Sequence, residues 1–255
     1  QFTIQANAGT TLGDVSIGDI TITGGLNVSD SSVSGIDLIG NTGIGNVAVG
    51  DVTITAGKGG AFDSFSMNVA ASAGAVGTVT LGNETLSGSV SRSIDVTGNS
   101  IGAVTIGDIS VSAGAGRYAD FRADTTSIGD VSIGDVTVAG TAGGSADVSD
   151  FFSAATTVGA ISAGDITLTA SGAGGDAYYS LSATAGTSGG SITAGDISLS
   201  ATASTVNSAT DAIANLALLS GKGAVTVGDV TVAGSAAGTG ATPASASIVF
   251  SLNAA

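Results

Sequence analysis

The sequence predicts an all-β fold: a single β-solenoid of about eight coils, with roughly three short strands per coil. A pattern of two glycines five residues apart recurs eight times along the 255 residues. Within each copy apolar and polar residues alternate, which is the two-residue period of a strand with one buried face. Because β-branched residues dominate the pattern and Gly occurs 42 times, helices are disfavoured.

The repeated pattern reads Gly-x-Φ-[S/T/A]-Φ-Gly-[D/N]-Φ-[T/S]-Φ-[T/S/A], where Φ is an apolar residue. The second glycines recur at intervals of 25 to 33 residues, so a constant core is joined by loops of variable length. Such spacing is typical of a stacked structural repeat. We therefore assign residues 1–255 to one solenoid domain, with repeat cores at 13–23, 45–55, 77–87, 102–112, 129–139, 159–169, 190–200 and 223–233.

Each core is predicted to form two short strands that meet at a corner. In the first copy, Val15 and Ile17 share one phase of the alternation, and Ile20 lies three positions beyond Ile17. An unbroken strand would place one of these side chains in solvent, so the chain must turn at Gly18-Asp19. We expect Gly to supply an unusual backbone angle there, and Asp to accept hydrogen bonds from backbone amides at the bend.

A third strand is predicted in each repeat, in an arm that follows a Gly-rich loop. Adjacent aromatic residues such as Phe151-Phe152 must point to opposite faces of an extended arm. Two interpretations of the aromatic residues are open. The rings form an internal aromatic ladder, or some of them lie outside and stack on saccharides. Examples of these arms are FDSFSMNVA (62–70), RYADFRAD (117–124), DVSDFFSA (147–154) and DAYYSLSA (176–183). All ten aromatic residues lie in such arms: Phe2, Phe62, Phe65, Tyr118, Phe121, Phe151, Phe152, Tyr178, Tyr179 and Phe250.

The repetition has a physical reason in this fold. Each coil stacks on the last, so like side chains form ladders, with Val and Ile inside and Thr and Ser outside. In this organisation the chain resembles the β-solenoid, or parallel β-helix, repeat proteins of bacterial surfaces, which include adhesin stalks and secreted structural proteins. The resemblance is one of architecture and composition over nearly the whole chain, and it implies no particular site residue.

One corner position carries a carboxylate in seven of the eight copies, with Asn83 in the remaining one. Stacked carboxylates repel each other, so something must compensate them. Hydrogen bonds from backbone amides at the bend are one interpretation. Bound Ca²⁺, which prefers oxygen ligands, is the other, although the nine-residue period of calcium-binding RTX repeats is absent. The candidate calcium ligands are Asp19, Asp51, Asp108, Asp135, Asp165, Asp196 and Asp229.

The composition excludes several functions. A formal charge of −15 with only five basic residues argues against nucleic-acid binding, and no apolar run is long enough to predict membrane insertion. Because His and Cys are absent, catalysis would have to use carboxylate pairs such as Asp120/Asp124 or Asp147/Asp150. We expect these aspartates to be solvated. The protein is therefore predicted not to be an enzyme and, Ca²⁺ apart, to use no cofactor.

Thr-x-Thr triplets such as Thr21/Thr23 and Thr53/Thr55 predict columns of hydroxyl groups along the solenoid. Such columns are similar to the ice-binding surfaces of some antifreeze proteins. However, Ala139 interrupts the pattern, several serines replace threonine, and outward Thr is an ordinary strand residue. Ice binding is therefore the least favoured functional hypothesis.

The function predicted from these features is that of a secreted structural protein, a subunit of an extracellular filament or surface coat. The numbering opens at Gln1 rather than Met, which suggests that a leader has been removed. The expected location is therefore secreted, either extracellular or on a bacterial cell surface. The alternative is an adhesin or carbohydrate-binding surface module that uses the aromatic third arms, with a polysaccharide as partner.

The expected partner is the protein itself, in a head-to-tail homopolymer. Residues 2–7 precede the first core and residues 247–253 follow the last, and both occupy the place of a third arm. Open solenoid ends expose unpaired backbone groups and apolar core. Placing the last coil of one copy on the first coil of another satisfies both ends and propagates into an open filament. The predicted assembly residues are Phe2, Ile4, Ile248, Phe250 and Leu252.

Overall fold

The regular structure of the described residues consists of β-strands. The structure, a computed structural model, describes residues 3–23, 33–56, 63–88, 90–113, 118–141, 144–172, 175–205, 210–238 and 244–254. Every regular element in these ranges is a strand, and none of the described residues belongs to a helix that could cross a membrane. In chain order the strands are β1 (Thr3–Ala8), β2 (Thr11–Leu12), β3 (Val15–Ile17), β4 (Ile20–Thr23), β5 (Val33–Gly40), β6 (Gly43–Ile44), β7 (Val47–Val49), β8 (Val52–Thr55), β9 (Asp63–Ala71), β10 (Ala75–Val76), β11 (Val79–Leu81), β12 (Glu84–Ser87), β13 (Val90–Ile101), β14 (Val104–Ile106), β15 (Ile109–Ala113), β16 (Tyr118–Ile128), β17 (Val131–Ile133), β18 (Val136–Gly140), β19 (Ala146–Val158), β20 (Ile161–Ala163), β21 (Ile166–Ser171), β22 (Gly175–Ala185), β23 (Ile192–Ala194), β24 (Ile197–Thr205), β25 (Thr210–Ser220), β26 (Val225–Val227), β27 (Val230–Gly238) and β28 (Ala244–Ala254).

These strands form three parallel sheets. Sheet 1 contains the long strands in the order β1-β5-β9-β13-β16-β19-β22-β25-β28, and the short strands β2, β6 and β10 extend it beside β13. Sheet 2 has the order β3-β7-β11-β14-β17-β20-β23-β26, and sheet 3 has the order β4-β8-β12-β15-β18-β21-β24-β27. Each repeat core therefore supplies one strand to sheet 2 and one to sheet 3, and each arm supplies a strand to sheet 1.

The strands stack in constant register from coil to coil. In sheet 2, for example, Val15 lies beside Val47, and Val47 lies beside Val79. The eight described strands of sheet 2 are joined by seven such coil-to-coil steps. The predicted parallel β-solenoid, with roughly three strands per coil, is thus confirmed.

The core is a set of apolar ladders inside the solenoid. Val47, Val79 and Val104 form one ladder in sheet 2, and Ile54 and Leu86 belong to another in sheet 3, all of them buried. The residues between them, mostly Thr and Ser, point outward. Burial of each such side chain contributes about 1.5–3 kcal/mol, so the alternation predicted from the sequence, apolar inside and hydroxyl outside, is also what stabilises the coils.

The corner between sheets 2 and 3 lies at the Gly-Asp pair, as predicted, but the expected reason for the glycine is wrong. Among the described glycines, positive φ occurs only at Gly43, Gly88 and Gly172, none of which is a corner glycine. A Cβ on Gly134 would instead lie 2.8 Å from the backbone nitrogen of Asp108, in the preceding coil. Where a corner lies on a preceding coil, Gly is required because the two coils approach too closely for any side chain.

Sheet 1 carries the aromatic residues on both faces. Phe121, Phe152 and Tyr179 are buried inside, and the rings of Phe121 and Phe152 lie 5.4 Å apart between centroids. The neighbouring Phe151 and Tyr178 point outward and are half-buried. The prediction that adjacent aromatic residues face opposite sides is confirmed, and the sheet has both internal and external rings. Phe2 and Phe62 lie outside the described residues, as does the side chain of Tyr118.

Candidate functional site

An aspartate ladder runs along the corner between sheets 2 and 3. The backbone N–H of Asp51 donates a hydrogen bond to Oδ1 of Asp19 at 3.0 Å, and Asn83 takes the same place in its own coil. The same bond joins each pair of successive coils. The remaining donor–acceptor pairs are Asn83–Asp51, Asp108–Asn83, Asp135–Asp108, Asp165–Asp135, Asp196–Asp165 and Asp229–Asp196, at 2.8–2.9 Å.

The hydrogen bonds of the ladder compensate the stacked corner carboxylates without a metal ion. The amide that compensates each carboxylate belongs to the next coil, and not to the same bend as the sequence suggested. Among the described residues, no three acidic side chains converge to form a metal-binding group. Ca²⁺ binding by the corner aspartates stays a hypothesis that these contacts do not require.

The ladder is open in the first and the last coil. In each later coil the corner glycine donates its N–H to the preceding coil, as Gly50 does to the carbonyl of Ile17 at 2.9 Å. In the described first coil, the N–H groups of Gly18 and Asp19 face no preceding coil. At the other end of the described structure, no following coil lies beside Oδ1 of Asp229. Both ends therefore present unpaired groups of the kind that join one coil to the next inside the solenoid.

Apolar side chains are exposed at the same two ends. Val230 and Val232 continue the inward columns of sheet 3 but are 41% and 56% exposed. Leu252 in β28 and Ile4 in β1 are 44% and 39% exposed, in one inward column of sheet 1. Nothing in the described structure covers these positions. They occupy core positions with no further coil beside them in the described structure.

The predicted assembly residues lie at these ends. Ile4 belongs to β1, and Ile248, Phe250 and Leu252 belong to β28, all in inward columns; Phe2 lies outside the described residues. Sequence reasoning missed Val230 and Val232, although they occupy the apolar positions of the last repeat core and so carried the required signal.

A second feature is a cluster of charges inside the solenoid. Glu84 occupies the inward position that Val52 and Ile109 hold in the adjacent coils. Its Oε2 atom forms an ion pair with Nη2 of Arg92, and both side chains are buried. Oε1 of Glu84 and the Nε and Nη1 atoms of Arg92 have no hydrogen-bond partner in the described structure. The interior therefore holds an ion pair that is only partly satisfied.

Asp150 completes this cluster and contradicts the prediction that it is solvated. Its side chain is buried, and Oδ2 accepts a hydrogen bond from the hydroxyl of Tyr179 at 3.1 Å. Burial raises the pKa of Asp150 to about 7, although Arg92 opposes the shift. The sequence contained the signal, because Asp150 shares the phase of Val148 and Phe152 along the arm.

Two shallow pockets lie next to each other on the outward face of sheet 1, along β16, β19, β22 and β25, and are together called the groove. On one side Arg122 lies over the ring of Phe151, with its guanidinium carbon 5.6 Å from the ring centroid. Tyr178 and Asn215 line the other side, and Ser149 lines both halves. The two halves enclose about 300 and 290 Å³. This groove brings together residues that the sequence did not associate.

Two half-buried carboxylates lie in the groove. Burial, followed by the charges of Asp120 and Asp176, raises the pKa of Asp147 to about 6. Burial also raises the pKa of Asp120. The groove thus contains hydrogen-bond acceptors beside aromatic rings, and Arg122 and Asn215 add donors.

The two carboxylate pairs considered for catalysis are not brought together. Asp147 faces outward, whereas Asp150 is buried on the opposite face of the same strand. Asp120 and Asp124 share the outward face, but four residues of extended chain separate their Cα atoms by about 13 Å. Paired carboxylates in glycosidases lie about 5–9.5 Å apart, so neither pair has the required arrangement.

The outward face of sheet 3 carries the predicted columns of hydroxyl groups. One column has a hydroxyl in every coil, and Ala139 and Ala233 interrupt the other. Ice binding by this face stays a hypothesis. The uninterrupted column consists of Thr21, Thr53, Thr85, Ser110, Thr137, Thr167, Ser198 and Thr231.

Comparison with known proteins finds no matching family model, no significantly similar curated protein and no significantly similar solved structure.

Proposed function

We propose that this protein is a secreted structural subunit that assembles head-to-tail into an extracellular filament or surface coat. The observation that supports this proposal is the pair of open end coils. Each combines unpaired hydrogen-bonding groups of the aspartate ladder with exposed core residues. Asp229 and Val232 lie at one end, and Asp19 and Ile4 lie at the other. The composition, which is rich in small residues and contains no Cys or His, suits the durable material of such a filament.

The partner that fits these ends best is a second copy of the chain. An end coil requires donors, acceptors and apolar side chains at the spacing of one coil, and an identical coil carries all of them in the same register. Because the two contacting surfaces differ, the contact is heterologous, and repeating it yields an open filament rather than a closed dimer. Strand addition to a sheet edge supplies the hydrogen bonds of such a contact.

The test compares two substitutions in β28 that have similar exposure. Leu252 is 44% exposed and points into the inward column, whereas Val249 is 41% exposed and lies in an outward column. We expect Leu252→Asp to abolish filaments, because it places a charge in the end-to-end contact. Val249→Asp is the matched control and should leave filaments intact.

The readouts are negative-stain microscopy and size-exclusion chromatography, with circular dichroism to show that both variants keep the strand spectrum. If the wild-type chain stays monomeric at high concentration, or if Leu252→Asp forms filaments like the wild type, the proposed function is wrong.

The outward groove of sheet 1 favours a second candidate function, the binding of an uncharged polysaccharide. Phe151 and Tyr178 provide rings on which sugar C–H groups can stack. Asp120, Asp147 and Asn215 provide acceptors and donors for hydroxyl groups. The carboxylates in the groove disfavour an anionic polymer.

Affinity electrophoresis in gels that contain hydroxyethyl cellulose, polygalacturonate or chitosan tests this function. We expect retardation by the uncharged polymer, and its loss in both Phe151→Ala and Tyr178→Ala. Thr97→Ala, on the outward face of β13, is the control. Retardation by charged polymers alone, or retardation that both variants retain, contradicts saccharide binding in this groove.

A further inference from the structure

The three sheets do not contain the same number of strands, and this restricts how two copies can stack. Sheet 1 has nine long strands among the described residues, whereas sheets 2 and 3 have eight each. If β28 simply paired with β1 of the next copy, sheet 1 would be continuous. Sheets 2 and 3 would then each lack one strand at the junction, which leaves a gap of about 9.6 Å, or two strand spacings.

Such a gap would leave the end groups unpaired. Across two strand spacings, Oδ1 of Asp229 cannot reach the N–H of Asp19, and Val230 and Val232 stay exposed. Full pairing of sheets 2 and 3 instead requires β26 to lie beside β3, and β27 beside β4, of the next copy. In that arrangement β28 of one copy and β1 of the next compete for the same place.

We propose that β28 of one copy displaces β1 of the next copy and pairs with its β5. This inference rests on the proposed head-to-tail assembly and specifies how the junction forms. The edge of β5 is then the binding site, and β28 of a second copy is the strand that binds there. The junction then repeats the pattern of the solenoid interior without a missing strand.

The columns of sheet 1 show that β28 can take the place of β1. Followed through the sheet from strand to strand, Ser251 lies in the column of Thr3, and Leu252 lies in the column of Ile4. Each segment has a hydroxyl residue, a branched apolar residue, an amide and an alanine in the same four columns. The matched segments are Thr3-Ile4-Gln5-Ala6 and Ser251-Leu252-Asn253-Ala254.

β1 is the strand that is easier to displace. Among the described strands it pairs with β5 alone; it has six residues, and its side chains are exposed or half-buried. β28 has eleven residues and pairs with β25 along its entire length, with Ile248 and Phe250 packed against the core. The exchange therefore replaces a short strand with the longer one, and β28 keeps its own pairing.

The junction also gains contacts that neither end has alone. The N–H of Asp19 donates to Oδ1 of Asp229 of the preceding copy, which continues the aspartate ladder across the junction. Val230 stacks on Ile20, and Val232 stacks on Ile22, as Val230 and Val232 already stack on Ile197 and Leu199 within one copy. The pairing lost between β1 and β5 is replaced by β28, so these new contacts favour the exchange.

Engineered disulfides distinguish exchange from simple stacking, since the chain contains no Cys. Gln5 is the present neighbour of Asp37, and Asn253 lies in the same outward column. Exchange places Asn253 beside Asp37 of the next copy, so Asn253→Cys combined with Asp37→Cys should form disulfide-linked ladders on oxidation. Within one copy, β5 and β28 are separated by the whole stack, so the link can form only between copies. Simple stacking instead links Asn253→Cys to Gln5→Cys.

A second variant gives an independent readout. No atom lies within 4 Å of a Cβ built on Gly18, so Gly18→Val should fold as a monomer. In the exchanged junction this Cβ meets the Gly228-Asp229 corner of the preceding copy, and filament formation should fall at least tenfold. Ser16→Val, which adds the same side chain on the outward face of β3, is the matched control.

The outcomes separate this inference from the proposed function. Absence of filaments in the wild type rejects both. Filaments that link Asn253→Cys to Gln5→Cys, or that tolerate Gly18→Val, retain the proposed function and overturn the exchange. A disulfide between Gln5→Cys and Leu219→Cys would mean that β1 of one copy displaces β28 of the other and pairs with its β25. That result also overturns the proposed exchange.

Discussion

Oδ1 of Asp135 accepts a hydrogen bond from the backbone N–H of Asp165, its counterpart in the next coil, at 2.9 Å. The side chain of one coil thus pairs a backbone donor of its neighbour at a corner, where no strand partner is available. Unpaired backbone groups are costly, so the ladder allows the chain to bend between sheets 2 and 3 without losing hydrogen bonds. One carboxylate or amide per coil is sufficient.

Replacement of Asp135 should therefore lower the free energy of unfolding, by an amount that depends on whether the new side chain still has a hydrogen-bond acceptor. We expect Asp135→Ala to reduce the free energy of unfolding by about 1 kcal/mol. Asp135→Asn should have a smaller effect, because Asn83 already performs this role. Urea unfolding followed by circular dichroism measures both, with the exposed Asp124→Ala as control. Equal midpoints for Asp135→Ala and the wild type would contradict a stabilising ladder.

The corner glycines that lie on a preceding coil should be intolerant of any side chain. A Cβ on Gly134 would lie within 2.8 Å of backbone atoms of the preceding coil, so Gly134→Ala should cost about 1–3 kcal/mol. Gly234→Ala is the matched control, since its Cβ would meet only Ile248 Cδ1 at 3.9 Å. Thermal unfolding of both variants gives the comparison. Similar melting temperatures would show that the coils can separate to accept a methyl group.

Asp150 should make the protein less stable as the pH rises. Burial raises its pKa from 3.8 to about 7, so between about pH 4 and pH 7 the folded state holds a proton that the unfolded chain has lost. The free energy of unfolding then falls through this window, and the contribution of Asp150 is constant above it. Arg92 and the hydrogen bond from Tyr179 lower this pKa, whereas the charges of Glu84 and Asp120 raise it further.

Asp150→Asn should remove this part of the pH dependence. Relative to the wild type, the variant should gain on the order of a few kcal/mol between about pH 4 and pH 8. Urea unfolding at several pH values measures the difference, in which the titration of the other aspartates largely cancels. Parallel stability curves for the two proteins would mean that Asp150 does not titrate in this range.

The buried ion pair should be costly to break and inexpensive to replace. Arg92→Met leaves Glu84 buried without its partner, which should cost about 3–5 kcal/mol. The double variant Glu84→Val/Arg92→Met should equal or exceed the wild-type stability when measured near pH 5, where Asp150 is protonated. Arg122→Met, at an exposed arginine, controls for the loss of positive charge. A double variant no more stable than Arg92→Met would show that the pair itself stabilises the coil.

Much of the fold could be predicted because it follows from local alternation. The corner at Gly18-Asp19 was visible as a break in a two-residue period, and the opposite orientations of Phe151 and Phe152 followed from strand geometry. The partner of Asp19 could not be found in the same way, because its donor lies 32 residues further along the chain. The reason for Gly134 was also missed, because it depends on the distance between coils.

The all-β solenoid, its repeat cores and the faces of its strands follow from the local sequence, since each of these depends on residues that are neighbours in the chain. Which groups meet across coils depends instead on the folded structure. It joined Glu84 to Arg92 and Asp150 in the interior, brought Phe151, Tyr178 and Asn215 to one groove, and aligned Leu252 with the column of Ile4. These relationships depend on the register with which distant segments stack, and loops of unequal length conceal that register in the linear sequence.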